Sequence, residues 1–265
     1  MRRKLLISVF TVQPWNICDS RLQKKDNMKG LFDMHCHIIP GVDDGARTLN
    51  DSMEILRAER AQGVTDIILT PHFRRNMFET SRDVVENNYR VLVEKAAEQF
   101  PEIKMHLGCE YHTNHDMTDM LRKDSRYRMC GTSYVLLEFS SAHDALYIKN
   151  GAYTLISSGF TPIIAHCERY RPIYKHIDFA EELCDMGAML QLNANSVLGL
   201  DGFGMKMFCR KMLKMELVSF IGSDAHNTGD RATHLGECAD FVEKKYGSHT
   251  ARKIFIKNPQ LLIGS

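Results

Sequence analysis

From Gly30 onward, short apolar runs rich in β-branched residues alternate with longer amphipathic segments. Strands that alternate with helical segments in this way are typical of repeated βα units around a parallel sheet. The 265 residues are enough for one large α/β barrel or for two ordinary domains. The alternation therefore predicts an α/β protein built on parallel strands.

Seven strands are predicted within this pattern. They cover residues 31–37, 65–70, 103–109, 133–139, 161–165, 188–195 and 217–222. Helices are predicted at 50–62, 81–100, 146–158, 179–186, 204–214, 231–246 and 249–257. Several of these helices stop at residues that do not continue a helix, such as Gly63, Pro101 and Gly159. The predicted architecture is a seven-stranded (β/α)7 barrel of the TIM type.

Residues that bind cations or carry protons stand at or just after the ends of the predicted strands. They are His35, His37, His72, Glu110, Glu138, His166, Asn193 or Asn195, Asp224 and His226. The carboxyl ends of the strands of a parallel barrel open on one face, where such enzymes build their active sites. Seven independent coincidences would be needed to produce this pattern by chance, so we predict a single site at that face.

The first strand carries the motif Asp33-Met34-His35-Cys36-His37. Alternate side chains of a strand point to the same face, about 6.5 Å apart along the backbone, so the two imidazoles project together. Asp43 and Asp44 follow within one loop length, and either of them supplies a carboxylate for the same spot. A His-x-His pair alone is usually not a metal site. Here the cation-binding residues at the ends of the other predicted strands favour a metal site.

Histidines and carboxylates in this number suit manganese, iron or zinc better than calcium. The candidates exceed what one ion needs, which favours two or three ions with a bridging carboxylate. Such a cluster activates water and holds the attacking and leaving oxygens of a phosphoryl group in line. The predicted reaction class is phosphoester hydrolysis.

Two arginines stand close to predicted ligands. Arg169 lies three residues after His166, and Arg231 lies five residues after His226. A guanidinium fork matches the non-bridging oxygens of a phosphate and stabilises charge in the transition state. A single arginine of this kind is more often a solvated surface residue. Beside two ligand-bearing strands, we interpret both as phosphate-binding residues.

Other classes of function find less support in the sequence. The formal net charge of +1 gives no electrostatic footprint for nucleic acid. No cysteine is followed by an arginine six residues later, which excludes a phosphatase of the cysteine-x5-arginine type. The eight cysteines form no C-x-x-C pair, which favours reduced thiols and a cytosolic protein. The remaining histidines in loops and helices are interpreted as ordinary surface residues: His112, His115, His143, His176, His234 and His249.

Residues 1–27 differ from the rest of the chain. Met1-Arg2-Arg3-Lys4 precedes an apolar run, but no small-x-small cleavage site follows. The run is too short to span a bilayer. We expect a disordered or peripheral leader at 1–27, a single folded domain at 28–265 and no integral membrane span.

Six motifs together resemble the polymerase-and-histidinol-phosphatase (PHP) superfamily. They are 33–37 (DMHCH), 70–72 (TPH), 108–110 (GCE), 137–139 (LEF), 165–170 (AHCERY) and 222–227 (GSDAHN). Within it, the chain is most similar to bacterial protein-tyrosine phosphatases of the CpsB/CapC type. The combination of Val42-Asp43-Asp44-Gly45 with His-x-Glu-Arg-Tyr is the specific part of this resemblance, which extends from about Leu31 to the C-terminus.

The resemblance implies a distorted PHP barrel that holds three metal ions, usually manganese. By position, one ion is held by His35, His37, Glu110 and Asp224; a second by Glu110, Glu138 and His166; and a third by Asp44, His72 and His226. Arg169 and Arg231 match the phosphate-binding arginines of the family. The leader at 1–27 has no counterpart in the family pattern.

The substrate implied by the resemblance is the phosphotyrosine-rich tail of a bacterial tyrosine autokinase that controls capsule and exopolysaccharide synthesis. The implied location is the cytoplasm, at the inner face of the membrane through this partner, and an oligomer is compatible with it. Histidinol-phosphate phosphatase, from the same superfamily, is the main alternative, and it requires a deeper pocket with an acidic group for the substrate amine. A PHP-type nuclease and a metal-stabilised binding module are less favoured.

Overall fold

The computed structural model describes residues 28–264. The predicted leader at 1–27 lies outside the described residues. Nine strands are described: β1 Leu31–Cys36, β2 Val64–Leu69, β3 His72–Phe73, β4 Lys104–Leu107, β5 Glu110–His112, β6 Tyr134–Glu138, β7 Thr161–Ile164, β8 Met189–Asn193 and β9 Phe220–Gly222. None of the helices in residues 28–264 combines the length and the apolar character that a bilayer crossing requires.

Eleven α-helices connect and follow the strands in this part of the chain. They are α1 Leu49–Ala61, α2 Arg82–Gln99, α3 Met117–Lys123, α4 Ala145–Ser157, α5 Arg171–Lys175, α6 Ile177–Asp185, α7 Ala194–Leu198, α8 Phe203–Lys214, α9 Leu235–Tyr246, α10 Ser248–Arg252 and α11 Asn258–Gln260. The start of α1 is fixed by a capping box, in which Thr48 and Asp51 each accept a hydrogen bond from the other's backbone N–H.

The strands form two sheets, and every pairing between strands is parallel. The smaller sheet has the order β1-β2-β4, and the larger has the order β3-β5-β6-β7-β8-β9. Most strand residues are buried, as expected for parallel strands covered on both faces. The predicted α/β class with parallel strands is confirmed.

The strand pairing does not reproduce the predicted set of seven strands. The predicted strand 103–109 corresponds to β4, which ends at Leu107, and a separate strand that was not predicted, β5, begins at Glu110 in the other sheet. Gly108 lies between the two strands and is closely packed, since an added Cβ would lie 2.8 Å from Ile68 Cγ2. Pro71, which has no N–H to donate, interrupts the neighbouring strand at the same level and separates β2 from β3.

The chain itself links the two sheets at one edge, where β3 follows β2 and β5 follows β4. Gly108 N donates to Leu69 O at 2.8 Å, which continues the pairing of β4 with β2, and Glu110 N donates to Pro71 O at 3.1 Å, which continues the pairing of β5 with β3. At the other edge, Asp224 N donates to the His35 carbonyl at 2.8 Å, and the His37 N–H donates to Ala225 O at 2.9 Å. The carboxyl ends of β1 and β9 are therefore held side by side.

The predicted helix 231–246 begins four residues later than expected, at Leu235. Residues 227–231 form a turn instead, in which the side-chain oxygen of Asn227 accepts hydrogen bonds from the N–H groups of Gly229 and Arg231. Asparagine competes with helix formation through such local bonds. The turn leaves Arg231 on a loop next to the carboxyl end of β9.

Candidate metal centre

All nine predicted ligands lie around one cleft at the carboxyl ends of the strands. The cleft has a volume of about 300 Å³. Its lining residues are Asp44, His72, Arg74, Met77, Phe78, Glu138, His166, Arg169, Asp224 and Arg231. The remaining four predicted ligands are buried next to this lining: His35, His37, Glu110 and His226.

The innermost group is formed by the two histidines of β1 and two carboxylates. The Nε2 atoms of His35 and His37 lie 3.1 Å apart. Glu110 Oε2 lies 3.2 Å from each of these nitrogens, and Asp224 Oδ1 lies 3.6 Å from each. The alternation of side chains along β1 thus places both imidazoles on one side, as predicted.

Glu110 extends from this group toward a second one. Its Oε1 atom lies 2.8 Å from His166 Nε2, and its Oε2 atom lies 3.0 Å from His72 Nδ1. Glu138 approaches the same two imidazoles, at 4.0 Å from His166 Nε2 and 3.8 Å from His72 Nδ1. Glu110 therefore lies between two clusters of nitrogen and oxygen atoms.

A third group lies at the rim of the cleft. Asp44 Oδ1 is 3.4 Å from His72 Nε2 and 3.4 Å from His226 Nε2. His37 belongs to this group as well, because one ligand atom from each of the four residues lies within 4.8 Å of the others. The three groups share residues, and His72 faces two of them through its two ring nitrogens.

Most of the imidazoles are oriented by a hydrogen bond at Nδ1. The Nδ1 partners are Gln191 Oε1 for His35 at 3.2 Å, Asp43 Oδ2 for His37 at 2.9 Å, Tyr170 Oη for His166 at 3.3 Å and the Asp224 carbonyl oxygen for His226 at 2.9 Å. In metal sites, such a bond fixes the ring so that the other nitrogen faces the metal. The other nitrogen of each of these rings is Nε2, which lies within 3.4 Å of a carboxylate oxygen of Glu110 or Asp44.

The geometry leaves buried polar atoms that a cation would satisfy. With Nδ1 donating to Gln191 and Asp43, the Nε2 lone pairs of His35 and His37 face each other. Within residues 28–264, four buried cleft atoms have no hydrogen-bond partner: His72 Nδ1, Glu110 Oε2, Glu138 Oε2 and His226 Nε2. Buried polar atoms are normally paired. Nitrogen and oxygen donors arranged in this way fit borderline divalent metal ions.

The carboxylates of the cleft have strongly perturbed pKa values. Burial alone raises the pKa of Glu110, but His35, His72 and His166 outweigh it and hold this pKa well below its usual range. Burial and the neighbouring charge of Glu110 raise the pKa of Glu138 to about 7. Without a cation, Glu138 is therefore partly protonated at neutral pH, and a metal ion that binds it displaces a proton.

Both predicted phosphate-binding arginines reach the cleft and converge on one carboxylate. Arg169 Nη1 lies 3.0 Å from Asp224 Oδ2, and Arg231 Nη2 lies 3.2 Å from Asp224 Oδ1. The Arg169 side chain is 41% exposed and that of Arg231 is 34% exposed. Each guanidinium is thus anchored at one edge and open to the cleft at another.

Two of the predicted ligands have a left-handed backbone. His166 has φ 31° and Asp224 has φ 53°. Such values are uncommon for residues other than glycine, and they cluster at functional sites. Both residues stand two positions after the end of a strand, and both side chains line the cleft.

Sequence reasoning missed several residues that support the site. Gln191 Oε1 accepts hydrogen bonds from the ring of His35 and from His166 N, at 3.2 and 2.6 Å. Asp43, considered as an alternative ligand, instead accepts from His37 and from the N–H of His72 at 3.0 Å. A buried glutamine within a largely apolar strand was the sequence signal for Gln191. Arg74 also lines the cleft, and no sequence pattern indicated that it would do so.

The surface interpretation of the remaining histidines holds for His115, His176 and His249, which are exposed. It is wrong for His112, which is half-buried and hydrogen-bonds through Nε2 to Ser140 Oγ at 3.0 Å. Its backbone belongs to β5, directly after Glu110, rather than to a loop. His112 is absent from the groups of possible metal ligands found among the described residues.

The fold and the cleft together define an α/β protein with a candidate metal site at the carboxyl ends of parallel strands. Residues 31–264 match the family described as "Capsular polysaccharide synthesis, CpsB/CapC". The chain belongs to the CpsB/CapC family, and the resemblance inferred from the sequence motifs is confirmed.

Curated relatives extend over nearly the same length. The tyrosine-protein phosphatase CpsB of Streptococcus pneumoniae is 32% identical over 238 residues, which cover 88% of this chain and 98% of the relative. The tyrosine-protein phosphatase YwqE of Bacillus subtilis is 32% identical over 235 residues, which cover 88% of this chain and 91% of the relative.

One solved structure agrees with this assignment, and a second shows the fold. A structure from a study of YwqE from Bacillus subtilis and CpsB from Streptococcus pneumoniae, described as unique metal-dependent tyrosine phosphatases, gives a TM-score of 0.81 at 31% identity and covers 88% of this chain and 94% of its own. The phosphotriesterase of Mycobacterium tuberculosis gives a TM-score of 0.58 at 13% identity, with 89% and 94% coverage, and shares the fold alone.

Proposed function

We propose that the chain is a metal-dependent protein-tyrosine phosphatase. The observation that carries this proposal is the cleft itself, where nine histidines and carboxylates surround a space bordered by two arginines anchored on Asp224. The names of the curated relatives and of the similar solved structure support phosphotyrosine as the substrate class. The reaction is hydrolysis of the phosphoester to tyrosine and inorganic phosphate.

Three groups of residues are proposed to hold the metal ions. The first is His35, His37, Glu110 and Asp224; the second is Glu110, Glu138 and His166; the third is Asp44, His72 and His226. When bound, the cations activate water and offset negative charge on the phosphoryl group. We propose Mn²⁺ in three positions, with Fe or Zn as the alternatives that the same donors accept. The Glu110 position between two groups supports a bridging role.

Arg169 and Arg231 are proposed to bind the non-bridging oxygens of the phosphate. Their pairing with Asp224 fixes their orientation before the substrate arrives, which limits the entropy lost on binding. The leaving phenol has a pKa of about 10 and needs less protonation than an alkyl alcohol. The two arginines therefore act mainly on charge that develops on the transferred group.

The natural substrate is proposed to be the tail of a bacterial tyrosine autokinase, met in the cytoplasm at the inner face of the membrane. The description of the family as a capsular polysaccharide synthesis family supports this context.

For the architecture, we propose that residues 28–265 form one domain and that the edge hydrogen bonds between the two sheets complete a distorted seven-stranded barrel.

The test is a substrate panel with Mn²⁺ present: a phosphotyrosine peptide, histidinol phosphate and single-stranded DNA. Preferred turnover of the peptide is expected, and preferred turnover of histidinol phosphate would overturn the proposal. The near-neutral charge disfavours the nuclease alternative. His166→Ala is expected to abolish turnover in a protein that keeps its circular dichroism spectrum, and an active variant would contradict the assigned role.

A further inference from the structure

The cleft has one apolar wall in an otherwise charged lining. Among the described residues that line it, Met77 and Phe78 are apolar, whereas the other eight carry ionisable side chains. The Met77 side chain is exposed, with a relative accessibility of 59%. Such a large exposed apolar side chain beside a polar site is a feature that a ligand with an apolar part would cover.

The wall is held rigidly at the edge of the metal centre. Arg74 and Phe78 exchange two backbone hydrogen bonds, of 2.9 and 2.8 Å, and so form a tight hairpin with Met77 near its tip. The Phe78 ring stacks on His72, with 5.2 Å between ring centroids and 11° between planes. Thr80 Oγ1 donates to Val42 O at 2.7 Å, which ties the hairpin to the loop that carries Asp44.

The two parts of an aryl phosphate match the two parts of this lining. Its phosphoryl group needs cations and guanidinium groups, and its ring needs an apolar surface of the kind that a methionine and an aromatic ring provide. An alkyl phosphate offers the first part without the second. On the basis of the proposed function, we propose that Met77 and Phe78 form an aryl-binding wall that selects aromatic over alkyl phosphate esters.

The experiment compares two esters and two unreactive analogues with the Mn²⁺-loaded full-length protein. The ratio of kcat/KM for phenyl phosphate to kcat/KM for methyl phosphate is measured, together with the ratio of Kd for methylphosphonate to Kd for phenylphosphonate by calorimetry. In Met77→Ser, both ratios are expected to fall about 5- to 10-fold, as for the loss of roughly 40–55 Å² of apolar contact. Met77→Leu keeps an apolar side chain and is expected to keep both ratios.

Met207→Ser is the matched control, since Met207 is also exposed but lies on α8, away from the cleft. The aryl-binding role would be contradicted if both ratios in Met77→Ser stayed within twofold of wild type. It would also be contradicted if kcat/KM fell equally for both esters. A wild-type protein that hydrolyses neither ester would overturn the proposed function instead. The phosphonate ratio still decides the role of the wall in that case, because it requires no turnover.

Discussion

Arg169 and Asp224 form an ion pair of 3.0 Å between Nη1 and Oδ2, at the boundary between the buried ligands and the open cleft. Arg231 holds the other oxygen of the same carboxylate, at 3.2 Å. Asn193 Nδ2 also donates to Asp224 Oδ2, at 2.8 Å. One carboxylate therefore sets the position of both guanidinium groups relative to the innermost pair of histidines.

Arg169→Ala should lower kcat/KM for a phosphotyrosine peptide about 100- to 1,000-fold, the usual cost of removing a preorganised charge partner from a transition state. The metal content, measured by mass spectrometry of the dialysed protein, should stay at the wild-type value because Arg169 donates no ligand atom. Arg171→Ala is the matched control, since Arg171 is nearby and exposed. A loss of metal in Arg169→Ala would mean that the residue acts on the metal centre rather than on the phosphate.

Gln191→Ala should weaken metal binding about 10- to 100-fold, which is typical when a partner of a metal-binding histidine is removed. The physical reason is the loss of the acceptor that orients the His35 ring and holds the backbone of His166. Titration with Mn²⁺ and calorimetry measures the change. Gln99→Ala, at an exposed helix end, should bind as wild type does. Wild-type affinity in Gln191→Ala would exclude the orienting role.

Removal of metal should lower thermal stability. A ligand present at about 100 times its Kd stabilises the folded state by roughly 2.7 kcal/mol, and the cleft has buried atoms left without partners when no cation is bound. Differential scanning calorimetry with and without a chelator measures the shift, and re-addition of Mn²⁺ should restore the original Tm. An unchanged Tm after verified metal removal would contradict a resident metal centre.

Gly222→Ala should disturb the innermost group, because an added Cβ would lie 2.7 Å from His35 Cβ. Overpacking of this kind costs about 1–3 kcal/mol of unfolding free energy and should also displace the His35 ring. Gly229→Ala is the control, because its Cβ would meet Asn227 Oδ1 at an ordinary 3.5 Å. Urea denaturation and metal titration measure the free energy of unfolding and the metal affinity of both variants. Equal values for the two variants would contradict the predicted overpacking at Gly222.

Glu59→Gln should change the pH dependence of stability. Burial and the nearby charge of Asp33 raise the pKa of Glu59 well above its usual range, and within residues 28–264 neither carboxylate oxygen has a hydrogen-bond partner. A group with a raised folded pKa takes up a proton on folding, so its contribution is fully present below the unfolded pKa of about 4.3 and is lost as pH rises.

The neutral glutamine avoids this loss, so Glu59→Gln should gain stability relative to wild type between pH 5 and pH 8. A gain on the order of 1–2 kcal/mol is expected at the upper end, as for relief of a buried unsatisfied group. Urea denaturation across this pH range at fixed metal concentration gives the measurement. Glu54 is exposed on the same helix, and Glu54→Gln should keep the free energy of unfolding of wild type at each pH. If the free energy of unfolding changed with pH in the same way for Glu59→Gln and wild type, Glu59 would not be the source of this pH dependence.

The convergence of the predicted ligands on one cleft was predictable because parallel strands impose a simple rule on the sequence. His35, Glu138 and Asp224 lie far apart in the chain, yet each stands at a strand end, and strand ends meet at one face. The chemistry of the residue types then indicated metal and phosphate. For the same reason, the α/β class followed from the alternation of segments.

Other features depend on contacts that no local pattern encodes. The pairing of Gln191 with His35 joins residues 156 positions apart, and glutamine has many other uses in a strand. The change of sheet between β4 and β5 depends on their pairing with β2 and β3, which lie elsewhere in the chain. The stacking of Phe78 on His72 arises from a hairpin that strand and helix periodicity does not describe.

The left-handed backbone at His166 and Asp224 has a consequence for engineering. Each such residue costs on the order of 1–3 kcal/mol, and glycine adopts the same conformation freely. A directed-evolution campaign that rewards heat resistance alone should therefore drift toward glycine at these two positions and produce robust but inert proteins. Libraries built on this scaffold need a catalytic readout in every round of selection.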